Sequence, residues 1–252
     1  MTPDEIRAGM VQHPWFHHIE LGHGIVTPGA GWPEYEKTLQ AAADIYYGMG
    51  VEGQSVLDVG AFDGFNSFAA ERAGAGQVVA ADYFVWGGPF TGNNRIESFR
   101  FAHKVLKSNV EQKVIDIADM NVETMGVFDH VGFNGIVYHI IDPINALIRM
   151  AAMTRRVLSV ETRIDCIDIP QPVMLYYDGE KRDPPYTPQT GWGMNSLCMH
   201  AVLKKLGFDT VLEYGTPGHE STRSIFLGIK PGYYDDYIAA NQAYAKPRFT
   251  GA

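Results

Sequence analysis

QSVLDVGAFDGFNSFAAERAGAGQVVAADY, residues 54–83, opens on an apolar strand, Ser55 to Val59, that carries Asp58 near its end. The strand breaks at Gly60-Ala61-Phe62-Asp63-Gly64, a glycine-bearing turn, and a helical stretch follows. A second apolar strand, Gln77 to Ala81, ends on Asp82. Strand, glycine turn, helix, strand, acid is the layout of a nucleoside-binding half-fold. Gly60 lets a ligand approach the backbone, the helix starting near Gly64 offers N–H groups, and Asp82 can grip ribose hydroxyls.

The turn also narrows the choice of nucleoside. A dinucleotide fingerprint reads G-x-G-x-x-G, and here Phe62 stands where the second glycine would bring backbone against pyrophosphate. Asp58, just before the turn, is a poor neighbour for phosphate and suits the ammonium of an amino acid. A ligand that is nucleoside at one end and amino acid at the other is S-adenosylmethionine. The competing reading of the same residues is a plain strand-to-helix connection with Asp58 and Asp82 as turn and cap residues.

Composition fits one large domain, or one domain with appendages: 252 residues, 46% hydrophobic and 19% charged. No apolar run is long enough to cross a bilayer, and the N-terminal MTPDEIRAGM lacks the apolar core of a signal peptide. Cys166 and Cys198 form no C-x-x-C pair, so reduced thiols and a cytoplasmic location are expected. The net charge of −9, from 20 basic and 29 acidic residues, disfavours a large nucleic-acid footprint.

The first fifty residues are irregular, rich in His, Trp, Gly and Pro, and end in a helical stretch from about Pro33 to Gly48. Beyond Asp82 the pattern predicts a helix over Glu97–Lys107 and strands over Lys113–Ile117 and Phe128–Gly132. Asp142-Pro143 reads as N-cap and first helical position, with Ile144, Leu147, Ile148 and Ala151 on one face of the helix that follows. A strand over Val157–Glu161 comes next, then a proline-rich loop from Asp168 to Asn195 and a helix over Ser196–Leu206. Two strands, Thr210–Tyr214 and Ser224–Lys230, close the chain's regular part. The expected architecture is α/β, a mainly parallel seven-stranded sheet with an antiparallel C-terminal edge and helices on both faces. The organisation read from this is an N-terminal cap or lid (1–50), a nucleoside-binding domain (51–231) and an aromatic tail (232–252). Tyr233, Tyr234, Tyr237, Tyr244 and Phe249 of that tail are expected to pack on the body or on a second copy in a homo-oligomer.

Four segments carry a family resemblance: WFHHIELGHGIVTPG (15–29), SVLDVGAFDGFNSFAAERAGAGQVVAAD (55–82), GVFDHVGFNGIVYHIIDPINAL (126–147) and WGMNSLCMHAVLKKLGF (192–208). They resemble class I (Rossmann-like) S-adenosylmethionine-dependent methyltransferases. More narrowly they resemble the group around the tRNA uridine-5-oxyacetic acid carboxymethyltransferases and its small-molecule methyltransferase relatives. The resemblance implies that Asp58, Gly60 and Gly64 hold the cofactor's amino-acid end, with Ala61 and Phe62 in the same turn. It puts Asp82 on the ribose with Tyr83 after it, and Asp116 and Ile117 on the adenine. Asn134 and Gly135 would line the sulfonium, with Tyr138 above it. Trp32 and Lys37 fall at the spacing of a Trp and a Lys that help hold the extra carboxylate in the carboxymethyl enzymes. The upstream R-K-G-P segment of those enzymes is absent here, which favours ordinary methyl transfer.

Methyl transfer needs a positioned nucleophile, exclusion of water and, for a hydroxyl acceptor, a proton acceptor. His139, just past the fourth strand, is the first candidate base; its alternative is a histidine that orders the Asp142-Pro143 helix start. His17 and His18 lie on the possible lid, with packing as their alternative role. His17, His18 and His23 come with no carboxylate or cysteine spacing that completes a metal site, so no metal is expected. Tyr176, Tyr177, Trp192 and Asn195, with Lys181, Arg182 and Tyr186 nearby, are the candidates for the acceptor pocket. Three functions follow: a small-molecule O- or N-methyltransferase acting on a sugar or ring-bearing metabolite, a tRNA methyl- or carboxymethyltransferase, and a cofactor-binding protein without catalysis.

Overall fold

In a computed structural model, which describes residues 1–29, 35–47, 50–88, 95–177, 191–218, 222–235 and 249–251, the apolar run before the glycine turn forms strand β1 (Ser55–Val59). The chain folds as two units, Met1–Met120 and Asn121–Ala252.

In the first unit β1 pairs in parallel with β2 (Gln77–Asp82), and β2 pairs in parallel with β3 (Glu111–Val114). Val56 to Val59 and Val78 to Asp82 are buried, as strands covered on both faces require, and this is why both read as unbroken apolar runs. Helix α3 (Phe65–Arg72) follows the turn and buries Phe68, which stacks on Phe99 of α4 (Arg95–Leu106) at 5.4 Å. The N-terminal segment is built into this unit. Helix α1 (Pro3–Met10) starts on a capping box between Thr2 and Glu5, with Pro3 in its first turn. Its Gly9 lies against Phe101 of α4, and Ser98 donates its hydroxyl to the Pro14 carbonyl at 2.5 Å. Helix α2 (Tyr35–Tyr46) precedes β1.

The strand expected over 113–117 lies earlier. Asp116 takes the Ala118 N–H on its side chain at 2.8 Å and starts a 3-10 turn, Ile117–Asp119. A side chain that bonds local backbone draws the chain out of the ladder.

In the second unit β4 (Phe128–Gly132) and β5 (Thr154–Arg163) are parallel. Helices α5 (Val122–Met125) and α6 (Pro143–Met153) flank β4 in sequence, and Asp142 caps α6 by accepting the Asn145 N–H at 3.2 Å. Against β5 runs β9 (Arg223–Ile229), then β8 (Thr210–Gly215), both antiparallel. The final strand β10 (Phe249–Gly251) pairs with β8. Part of the expected loop is a hairpin, β6 (Met174–Tyr177) with β7 (Gly191–Met194), leading into α7 (Ser196–Lys205). Of the tail, Tyr233 stacks under Arg156 at 4.9 Å, while Tyr237 and Tyr244 lie outside the described residues.

Candidate functional site

The turn after β1 is held by β2. The N–H groups of Gly60 and Ala61 both donate to the Ala81 carbonyl, at 2.8 and 3.2 Å. Gly60, Phe62 and Gly64 take φ of 73°, 56° and 95°. For Phe62 that conformation is costly, and three interactions hold it. Its N–H donates to Asp82 at 3.0 Å, its carbonyl accepts from Trp86 Nε1 at 2.6 Å, and its ring lies 5.2 Å from the Arg95 guanidinium. Gly64 is the N-cap of α3; a Cβ there would meet Phe68 at 2.5 Å and Phe99 at 2.7 Å.

Three acids converge on this bend. Asp58 is buried beneath α3 and accepts the Ser67 hydroxyl at 2.5 Å. Burial pushes its carboxyl up to about 7, against the pull of Ser67 and His17 and with a smaller contribution from Asp82. Asp82, also buried, accepts from Phe62 N–H and, at 3.1 Å, from Val85 N–H; burial raises its pKa as well. Asp63, to which the sequence assigns no role, is fully buried. It accepts the N–H groups of Phe16 at 2.7 Å and His17 at 2.9 Å, and the His17 Nδ1–H. Burial alone would raise Asp63; the facing imidazole and these bonds outweigh it and hold the carboxyl below its ordinary value.

Asp63 therefore fastens the N-terminal segment to the bend. His17 stacks on Phe65 and meets Phe62 edge-on. Its side chain keeps 14% of its surface exposed, and its Nε2 makes no hydrogen bond among the described residues. His18 instead donates Nδ1–H to the Thr27 carbonyl at 3.1 Å and packs on Gly29, inside the 17–27 hairpin that Thr27 closes by bonding His17 and Ile19.

Beside the end of β2 lies a cavity of about 500 Å³ lined by Tyr83, Val114, Ile115, Asp116, Ala118 and Asp119. Tyr83 and Asp116, from two different predicted roles, thus share one cavity that begins one residue after Asp82. Ile117 belongs to the adjoining 3-10 turn. Lys37 is exposed on α2, and Trp32 lies outside the described residues.

In the second unit Asn134 bonds β5 through both ends of its amide, donating to Ser159 Oγ at 3.2 Å and accepting the Glu161 N–H at 3.0 Å. Gly135, at φ 76°, donates to the Glu161 carbonyl. Arg223 donates to both oxygens of buried Glu161 (2.6 and 2.7 Å) and to the Tyr138 hydroxyl (3.0 Å), and its guanidinium lies over the Tyr138 ring at 4.7 Å. Burial would lower the Arg223 pKa, and the Glu161 bonds reverse that; burial raises Tyr138. The His139 ring tilts against Tyr138 with centroids 4.0 Å apart; part of its surface remains exposed, and the burial of the rest, with Arg223, lowers its pKa. Glu161 and Arg223 carried no motif signal, because their pairing is made across the antiparallel strands β5 and β9.

Of the candidate acceptor residues, Tyr176 and Trp192 pair across the hairpin with rings 4.8 Å apart. Tyr177 donates its hydroxyl to Asp165, and burial together with that carboxylate pushes its pKa up to about 12. Asn195 is buried and caps α7, with its amide bonded to Ile169, Gln171, Val173 and Cys198. Lys181, Arg182 and Tyr186 lie outside the described residues. Among the described residues no three His, Cys, Asp or Glu side chains gather as metal ligands, and no helix is long and apolar enough to cross a membrane.

No protein-family model matches this chain, and no curated protein matches it significantly. Solved structures do match. The N-terminal domain of EvdMO1, determined in the presence of SAH (S-adenosylhomocysteine) and D-fucose, is 18% identical with a TM-score of 0.62, over 91% of this chain and 98% of that one. The 1,6-didemethyltoxoflavin-N1-methyltransferase of Burkholderia thailandensis, with bound 1,6-didemethyltoxoflavin and S-adenosylhomocysteine, is 14% identical with a TM-score of 0.54, over 77% of this chain and 78% of that one. The magnesium protoporphyrin IX methyltransferase of Synechocystis PCC 6803, with bound SAH, is 17% identical with a TM-score of 0.54, over 77% of this chain and 82% of that one. The chain has the Rossmann-like fold of class I methyltransferases; the seven strands expected from the sequence are β1–β5, β8 and β9, and β10 adds an eighth beside β8.

Proposed function

We propose that this protein is an S-adenosylmethionine-dependent methyltransferase acting on an oxygen or nitrogen of a small-molecule acceptor. The observation that carries the reading is the first unit's bend, with buried Asp58 and Asp82 at its two strand ends and a cavity lined by Tyr83 and Asp116 next to it. Asp58 and Asp82 disfavour phosphate, whereas they suit an ammonium and a ribose. The fold and the ligands named for the three similar structures support the same cofactor.

When bound, S-adenosylmethionine supplies a methyl carbon activated by positive sulfur. Asp58 takes the ammonium, Asp82 orients the ribose, and Tyr83 with Asp116 and Ile117 receives the adenine. Phe16 and His17, fastened by Asp63, keep water off the bend. The acceptor's oxygen or nitrogen forms a bond to the methyl carbon as the carbon–sulfur bond breaks, and its proton passes to an imidazole. Two imidazoles can receive that proton. One is His17, whose Nε2 has no hydrogen-bond partner among the described residues, and the other is His139, whose pKa is lowered by partial burial and by Arg223. In the second unit, Tyr176 and Trp192 offer an aromatic surface of the kind sugars and ring-bearing metabolites stack on.

Acceptor-dependent formation of S-adenosylhomocysteine from S-adenosylmethionine, measured across a panel of monosaccharides and nitrogen heterocycles, tests the reading. Turnover with any of them supports it. Turnover confined to tRNA would move the acceptor to nucleic acid, and cofactor binding with no turnover on either would make this a binding protein.

A further inference from the structure

Two side chains of the first unit, one buried and one half-buried, place buried polar atoms without a hydrogen-bond partner among the described residues next to the acids of the bend. The Tyr47 hydroxyl is one: it feels the charge of Asp58, and burial followed by that charge pushes its pKa well above the ordinary value. Arg95, the first residue of α4, is the other; its Nε and Nη1 are both buried and unpartnered. Its guanidinium is fixed over Phe62 at 5.2 Å, at the centre of the bend. The acid it feels is Asp63, yet Asp63 has already accepted from Phe16, His17 N–H and His17 Nδ1. Buried guanidinium N–H groups without an acceptor are rare in folded proteins and mark a place where an acceptor arrives.

The bend thus holds an acid whose one side-chain donor is a serine hydroxyl, Asp58, and a cation, Arg95, with no anion of its own among the described residues. A free amino-acid group carries the complement of both on a single carbon: an ammonium and a carboxylate. A bare nucleoside would leave both unmet. We propose that Arg95 anchors the α-carboxylate of the sulfonium nucleoside, while Asp58 and the Tyr47 hydroxyl oxygen receive its ammonium. This assignment rests on the methyltransferase reading above. The planar fork of arginine suits a two-point bond to a carboxylate, which lysine cannot reproduce.

The test compares S-adenosylmethionine with decarboxylated S-adenosylmethionine, which differ by that carboxylate, in calorimetric titrations of the full chain. Arg95→Gln should weaken S-adenosylmethionine roughly 10- to 100-fold, as expected for a lost charged hydrogen bond, and change the decarboxylated ligand by no more than about twofold. Arg95→Lys should lose less, with the same selectivity. Equal losses for the two ligands, or no loss for either, would overturn the assignment. Should Arg95→Gln bind neither ligand, Arg95→Lys decides by whether its loss is confined to the carboxylated one. A wild-type protein that binds S-adenosylmethionine without this selectivity overturns the Arg95 role alone. A wild type that binds neither ligand overturns the methyltransferase reading and this role with it.

Discussion

Asp58 and Asp63 are buried carboxylates on one bend whose pKa values move in opposite directions, and each direction has a consequence. Asp63 titrates below its ordinary 3.8 because His17 and three donors face it, so its stabilisation is complete above that value and is lost as pH falls through the folded value. Asp63→Ala should lower the unfolding free energy by about 3 kcal/mol near neutrality, read by denaturant titration, and should flatten the wild type's acid limb below about pH 4. Asp58 behaves in the reverse sense. Its folded value is near 7, so the penalty of charging it grows as pH rises from 3.8 through 7 and is constant above. An ammonium next to Asp58 would favour its ionised form, so cofactor binding at pH 7 should release about half a proton, seen as a buffer-dependent calorimetric enthalpy. The release should vanish in Asp58→Asn; a buffer-independent enthalpy at pH 7 would remove Asp58 from the ammonium site. Asp58 and Asp82 were legible in the sequence because each ends an apolar run. Asp63 was not, since its partners are donors 46 and 47 residues upstream that no local pattern displays.

At the scale of elements, long periodic stretches were readable and short ones were not. The helix capped by Asp142-Pro143 and the strand at 128–132 lie where hydrophobic periodicity puts them. Helix α1 was missed although Thr2, Pro3 and Glu5 spell a capping box, because only Ile6 of its residues is buried and so no apolar stripe marks it. Strands β6 and β7 have four residues each, too few for alternation to register; they pair through an antiparallel ladder in which Tyr176 lies opposite Trp192. Gly191 is the element-level weak point. A Cβ there would collide with the Tyr138 carbonyl oxygen, so Gly191→Ala must push the hairpin away from the 137–139 turn. We expect a loss of about 3 kcal/mol or more in thermal or denaturant unfolding, with changed Trp192 fluorescence. Gly53→Ala, at φ 69° with nothing within 4 Å, should cost only about 1 kcal/mol. Equal costs for the two would mean that backbone conformation, and not the Tyr138 contact, governs position 191.

For the whole molecule, the net charge of −9 argues against a polyanionic acceptor. Filter binding of tRNA at low salt should show no complex at micromolar protein, whereas tight binding that falls steeply with salt would favour a nucleic-acid substrate. Four strands of the βα series were legible because β1, β2, β4 and β5 are largely buried apolar runs, whereas β3 (Glu-Gln-Lys-Val) is mostly exposed and polar and was therefore placed too late. The acceptor was not legible, since the candidates for its pocket are split between a hairpin and a segment without periodicity. A crystal structure of the protein grown with S-adenosylhomocysteine tests the central claim most directly. It should show the ligand's amino group at Asp58, its ribose hydroxyls at Asp82 and its adenine in the cavity of Tyr83 and Asp116. A bend left empty at saturating ligand, or one holding phosphate instead, would contradict the account.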